Sequence, residues 1–260
     1  MSDPDLLIED NGPVRTITLN RPDTKNTLTG PMLAGLVGSI AEADQADAVR
    51  VIVLTNVGNT FCAGADLTNS RPGVSGMSSD GDGTALSDIF VALQASATPV
   101  IGKINGHAVG GGVGLVAACD LSYVRSDAKI GFTEVRLGVA PAVISVVCLP
   151  KLSRADAMET FLTGERFSPA RAAEMGLINA AVDPEDLDNH VQQVVDKILL
   201  GGPAGVTASK HIINTVPSME RVEAFTAMTE LSQSLFDGPE AQAGIAAFRE
   251  RRPAPWAPAG

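Results

Sequence analysis

Side chains that build metal centres and disulfide frameworks are scarce in this 260-residue chain. Its three cysteines, Cys62, Cys119 and Cys148, are isolated from one another and form no Cys-x-x-Cys pair. An odd, scattered set of this kind supports no disulfide framework and fits a reducing compartment. His107, His190 and His211 are equally isolated, so too few soft ligands lie close together for a zinc site, and no metal is expected. Basic charge is also in short supply: 19 Lys and Arg against 30 Asp and Glu leave a formal net charge of −11. That balance argues against nucleic acid as a partner, because phosphate backbones are met by basic surfaces. An anionic ligand would need local cations, which the sequence offers as Arg21 and Lys25 near the start and Arg249, Arg251 and Arg252 near the end. No apolar run approaches the roughly 20 residues that span a bilayer. The opening Met1-Ser-Asp-Pro-Asp5 is acidic where a secretory signal is basic. A cytoplasmic setting with no membrane partner is the expectation.

What the chain does have is 45% hydrophobic residues, enough for one compact α/β core with an appended segment. Val14 to Leu19 alternates as a half-buried strand does, and Asn20 to Asp23 ends it with turn residues. Pro31 to Ala43 carries helical spacing behind Thr29 as a cap. Val49 to Thr55 is β-branched and reads as a buried strand. Further strands are expected at Val100 to Ile104, Leu121 to Val124 and Lys129 to Phe132. Helices are expected at Thr84 to Ala97, Val113 to Cys119, Ser153 to Leu162, Pro169 to Met175, Glu185 to Leu199, Val206 to Thr215 and Ser218 to Phe236. Strands therefore dominate early and helices late. Thr68 to Gly83, rich in Ser, Gly and Asp, reads as a mobile loop.

Two glycine-bearing turns stand out. Cys62-Ala-Gly-Ala-Asp-Leu67 follows the strand that ends near Thr55, and Asn105-Gly-His-Ala-Val-Gly-Gly-Gly-Val-Gly114 runs from the next strand into a helix. Glycines entering a helix let backbone N–H groups approach an anion with the helix dipole behind them, whether phosphate or a developing oxyanion. Gly112 to Ala117 formally matches the G-x-G-x-x-A dinucleotide fingerprint. Residues 105–109, however, separate it from the strand where that motif demands an immediate turn. Glycines alone favour tight-turn geometry with no ligand.

Several short segments, in this order and spacing, resemble the enoyl-CoA hydratase/isomerase (crotonase) superfamily. They are Asn20-Arg-Pro, Asn26-Thr-Leu, Phe61-Cys-Ala-Gly-Ala-Asp-Leu67, Lys103-Ile-Asn-Gly-His-Ala-Val-Gly-Gly-Gly112, Cys119-Asp120, Phe132-Thr-Glu-Val-Arg-Leu-Gly138, Leu162-Thr-Gly and Ala173-Glu-Met-Gly-Leu177. The resemblance implies a spiral of ββα units in residues 1–200. It also implies a helical segment, 201–260, that serves trimerisation and covers coenzyme A, with assembly as homotrimers or dimers of trimers. The backbone N–H groups of Ala65 and Gly111 would form an oxyanion hole for the carbonyl of an acyl-CoA thioester. Such donors stabilise the charged transition state more than the neutral substrate. Coenzyme A enters as part of the substrate, with no tightly bound cofactor. Lys25, near the phosphates, and the turn of Ala63, Asp66 and Leu67 would hold it, while Phe225, Phe248, Arg251 and Arg252 are weaker candidates.

Glu134 is the candidate acid/base. Its neighbours Phe132, Val135 and Leu137 could desolvate it and raise its pKa; an ion pair with Arg136 is the local alternative. The resemblance favours the catalytic role. One departure stands at Gly114, where two-glutamate hydratases carry their second catalytic carboxylate. Three activities stay open: hydration of an α,β-enoyl-CoA, ranked slightly ahead because Gly112 to Val116 and Thr133 to Ser145 resemble bacterial hydratases of branched or methylglutaconyl-type acyl-CoAs that also lack the second glutamate; β,γ to α,β isomerisation with Glu134 as sole base; and acyl-CoA binding without turnover. Asp80, Asp82 and Asp88 are possible sources of a second acid, although ordinary solvated carboxylates are the simpler reading of each.

Overall fold

The computed structural model describes residues 4–65 and 84–258, and in it the chain returns repeatedly to the same two sheets. β1 (Leu6–Asn11) and β2 (Val14–Leu19) pair antiparallel, joined through Gly12 at φ 56°. α1 (Gly30–Gln45) follows, its first turn capped by the Thr29 hydroxyl, which accepts the Met32 N–H at 3.4 Å. Three turns of one design come next. The first is β3 (Val51–Asn56), β4 (Thr60–Cys62) and α2 (Leu86–Ala95). The second is β5 (Val100–Ile104), β6 (His107–Val109) and α3 (Gly111–Ala118). The third is β7 (Leu121–Arg125), β8 (Ile130–Gly131) and α4 (Ala142–Cys148). α5 (Arg154–Thr163), β9 (Arg166–Phe167), α6 (Pro169–Glu174), β10 (Ala180–Val182) and α7 (Leu187–Leu199) complete the layers. α8 (Pro203–Thr215), α9 (Arg221–Asp237) and α10 (Pro239–Arg249) close the chain.

In each of the three turns the first strand joins a six-stranded sheet, ordered β1-β2-β3-β5-β7-β10, and the second joins a four-stranded sheet, ordered β4-β6-β8-β9. This is the expected ββα spiral. Its consequence for the site is direct: β4, β6 and β8 lie side by side and parallel, so the residues that follow them emerge at one edge. Adjacent strands are about 4.8 Å apart, and the spiral therefore delivers three loops to one place.

At its centre the larger sheet is buried on both faces, as the β-branched run of β3 requires, while the edge strand β1 is largely exposed. Ile52 and Leu54 face the main core with α1, α2 and α3, while Val51 and Val53 face a second layer made by Leu187, Val191, Val195 and Leu199 of α7. Where pattern and structure part, a local cause is visible. The expected strand Lys129 to Phe132 pairs only over Ile130–Gly131. The expected helix from Ser218 starts at Arg221, because Val216–Ser218 forms a 3-10 turn. α2 starts at Leu86, where the Asp88 carboxylate accepts the Ala85 N–H at 2.8 Å. The loop expected over 68–83 lies outside the described residues.

Candidate active site

The turn after β4 is pinned from three directions. The Ala63 N–H donates to the Lys25 carbonyl at 3.0 Å, the Leu28 N–H donates to the Gly64 carbonyl at 2.8 Å, and the Gly64 N–H meets Cys62 Sγ at 3.3 Å. Gly64 sits at φ 88°, a conformation that glycine adopts without steric cost. The first of these clasps has its own support in buried Asn26. Its amide donates to the Thr60 and Val57 carbonyls at 2.7 and 3.1 Å, and its side-chain oxygen accepts the Arg21 N–H at 2.7 Å. Lys25 and Asn26 both take left-handed backbone angles, φ 56° and 51°, so this loop stores strain that its hydrogen bonds hold in place.

The turn after β6 packs directly on the first. Gly110, at φ 54°, leads into α3, and its own N–H donates to the Gly131 carbonyl at 3.2 Å. A methyl group placed on Gly64 would lie 3.1 Å from the Gly111 nitrogen, and one on Gly112 would lie 2.2 Å from the Cys62 carbonyl oxygen. Bare backbone is thus a condition of the approach. Among the described residues no backbone acceptor takes the N–H of Ala65 or of Gly111. Gly112 and Gly114 fall inside α3 rather than in a strand-to-helix turn, so the dinucleotide fingerprint has no structural counterpart.

Glu134 opens the 3-10 turn Glu134–Leu137 that follows β8. A methyl group on Gly110 would lie 3.4 Å from Glu134 Oε1, which places the carboxylate beside the glycine turn. Its Oε2 is buried with no hydrogen-bond partner among the described residues, and burial raises its pKa above the ordinary glutamate value. The ion pair with Arg136 does not form: that guanidinium is turned to the Thr163 carbonyl at 3.3 Å.

Gly114 explains why one carboxylate stands here without a second. A methyl group on Gly114 would fall 2.5 Å from Phe90 Cζ and 2.7 Å from Ile144 Cγ2. Both side chains are buried, so the space a glutamate would need is filled with packed hydrocarbon. Neither Phe90 nor Ile144 could be singled out from sequence: Phe90 reads there as an ordinary helix position, and Ile144 falls where no element is expected. Of the other candidate acids, Asp88 is exposed and engaged in capping α2, while Asp80 and Asp82 lie outside the described residues.

The coenzyme A candidates divide. Lys25 and Ala63 are brought together by the hydrogen bond between their backbones, whereas Asp66 and Leu67 lie outside the described residues. Phe225 and Phe248 are exposed on α9 and α10, and Arg252 pairs with Glu250. Among the described residues no cluster of three or more metal-ligating side chains occurs, and no helix is long and apolar enough to cross a membrane. His107 accepts the Lys129 N–H at Nδ1, 2.9 Å away, an ordinary packing role.

A ββα spiral whose parallel inner strands converge on two glycine turns and one desolvated carboxylate defines the crotonase class. The family model described as enoyl-CoA hydratase/isomerase matches residues 9–258. The chain is 31% identical over 256 residues to enoyl-CoA hydratase EchA19 of Mycobacterium tuberculosis, with 96% of each chain covered. It is 32% identical over 211 residues to a peroxisomal Delta(3,5)-Delta(2,4)-dienoyl-CoA isomerase of Arabidopsis thaliana, with 76% of each covered. The crystal structure of an enoyl-CoA hydratase from Mycobacterium smegmatis matches with a TM-score of 0.89 at 30% identity, covering 98% of this chain and 99% of that one. The chain belongs to the enoyl-CoA hydratase/isomerase family, whose members act on CoA thioesters, and is an enzyme of hydratase or isomerase type.

Proposed function

We propose that this enzyme adds water across the α,β double bond of an enoyl-CoA, with Glu134 as the single acid/base and the N–H groups of Ala65 and Gly111 as the oxyanion hole. The observation that carries the proposal is the half-buried Glu134 carboxylate, free of any ion pair among the described residues, set beside the glycine turns. One carboxylate suffices for the proton balance. Glu134 takes a proton from water as the water oxygen bonds to Cβ; the π electrons move to an enolate whose oxygen the two N–H groups hold; Glu134 then returns the proton to Cα. Donors already in place cost no reorganisation as the charge develops.

Isomerisation is the second reading, and the hydrocarbon filling at Gly114 favours it. A base that meets only Phe90 and Ile144 where a second carboxylate would stand can still carry a proton from Cα to Cγ of a β,γ-enoyl-CoA through the same enolate. Lys25 and the 63–67 turn are proposed to hold coenzyme A. Residues 1–200 would carry the site and 201–260 would cover it and join copies into a homotrimer or dimer of trimers in the cytoplasm. Exposed Val222, Phe225, Phe236 and Phe248 on the terminal helices support burial of that segment in an assembly.

The test is incubation with crotonyl-, methylglutaconyl- and β,γ-enoyl-CoA in deuterated water, beside Glu134→Gln, with products followed by mass spectrometry. Addition of deuterated water, lost by a factor of about 10² to 10⁴ in Glu134→Gln, supports hydration. Bond migration without water uptake replaces it with isomerisation, and binding without turnover on every substrate overturns both.

A further inference from the structure

We infer that Cys62 is a positioning residue for the oxyanion hole, its sulfur holding Gly64 in the conformation that aims the Ala65 N–H; this rests on the reading of Ala65 and Gly111 as oxyanion donors. A trans peptide keeps its C=O and N–H on opposite sides of one plane. The Gly64 carbonyl is fixed toward Leu28, so the Ala65 N–H of the same plane must point the other way. That fixes one of the two planes meeting at Gly64. The other contains the Gly64 N–H, and its acceptor is Cys62 Sγ at 3.3 Å. With both planes anchored, the φ of 88° at Gly64 has no freedom left. Remove the sulfur and the Ala63–Gly64 plane can swing, which leaves the Ala65 donor aimed by the single hydrogen bond from the Leu28 N–H and free to tilt about it.

Cys62 also touches the second turn. A methyl group on Gly112 would lie 2.2 Å from its carbonyl oxygen and 2.9 Å from its Cβ, so α3 is seated on this residue. Cys62 therefore steadies the angle of one donor through its sulfur and seats the helix of the other through its backbone carbonyl, and only the first of these depends on the thiol. The sulfur acts as a neutral acceptor: Cys62 is fully buried, and burial pushes its pKa up to about 12. A thiolate there would repel the enolate oxygen, and a neutral thiol does not.

Two variants lack the acceptor, Cys62→Ala leaving a void and Cys62→Val filling it, while Cys62→Ser restores an acceptor. Each is compared with the wild-type chain for crotonyl-CoA kinetics and for the red shift of bound cinnamoyl-CoA, which reports polarisation of the thioester carbonyl. Misaimed donors act on the transition state, so kcat should fall about tenfold in Cys62→Ala and Cys62→Val with KM within about twofold. The red shift should shrink in parallel, and Cys62→Ser should recover both to within about threefold. Unchanged kcat and red shift in a folded Cys62→Ala or Cys62→Val overturn the inference. So does failure of both to fold, which would make Cys62 a core residue first. A wild-type chain that neither turns over crotonyl-CoA nor shifts cinnamoyl-CoA defeats the underlying oxyanion reading instead, and the two failures are distinguishable.

Discussion

At its N-terminal end α3 meets the Gly64 turn with no side chains between the two backbones, whereas just past its C-terminal end the chain buries a charge pair. There Lys210 of α8 donates to Asp120 at 2.8 Å and to the Leu93 and Thr98 carbonyls at 2.9 and 3.1 Å, and Asp120 accepts the Val100 N–H at 2.7 Å. Burial pushes the pKa of Asp120 up, and the neighbouring Lys210 ammonium opposes that rise. One end of the helix tolerates no added atom and the other tolerates no removed charge. On the proposed reading, the difference separates a place that receives a substrate oxygen from a place that docks a helix.

Adding an atom at the first end should have the largest effect. In Gly112→Ala the new methyl meets the Cys62 carbonyl, a backbone group with no rotamer to yield, so the two turns must part. Losing one oxyanion donor costs about 10² to 10³ in kcat, and overpacking adds about 1 to 3 kcal/mol of destabilisation. Steady-state kinetics beside thermal melting would show it; an active Gly112→Ala would mean that the turns need not touch. Removing a charge at the other end should spare catalysis. Lys210→Ala leaves the partly buried Asp120 with Lys151 as its remaining cationic neighbour, a change worth up to about 3 kcal/mol in urea unfolding, with kcat per folded molecule unchanged. The sign with pH is fixed as well. A carboxyl whose folded pKa stands above its unfolded value costs stability as pH rises between the two. The Lys210→Ala defect should therefore be deepest near neutrality and shrink on acidification; a deficit independent of pH would break the contrast.

How much of this was legible beforehand follows the same division. Glycine advertises close backbone approach, so the turns at residues 62–67 and 105–114 could be marked from sequence, and the resemblance added Glu134 beside them. Val14–Leu19 is legible to the residue because alternation and terminal turn residues agree, and Val100–Ile104 forms with the bounds expected. α4 and α10 have no counterpart in the pattern reading. Partners far apart in sequence were invisible: Asp120 and Lys210 are ordinary letters until the fold joins them. Phe90 and Ile144 likewise carry no mark of what they exclude at Gly114. Cys62 is legible as the opening residue of the first glycine turn but not as an acceptor, because that role depends on one N–H two residues away.

Glu134 stands beside the glycine end of α3 and supplies the smallest and sharpest test of the contrast, since the proposal makes this half-buried carboxylate a group for chemistry rather than for docking. As a base it must be ionised, so the acid limb of kcat/KM should lie above the ordinary glutamate pKa of about 4.3, shifted in the direction that burial imposes. Its cost to the fold has the sign already met at Asp120. The raised carboxyl destabilises the folded chain above its pKa, and that cost is relieved as pH falls through it. Neutral Glu134→Gln should therefore be at least as stable as the wild-type chain at pH 7 and should lose that advantage on acidification. Urea midpoints for both chains at pH 7 and pH 4.5 would read it. A Glu134→Gln chain clearly less stable at pH 7 would show that the carboxylate holds the fold, as Lys210 and Asp120 do at the far end of the helix.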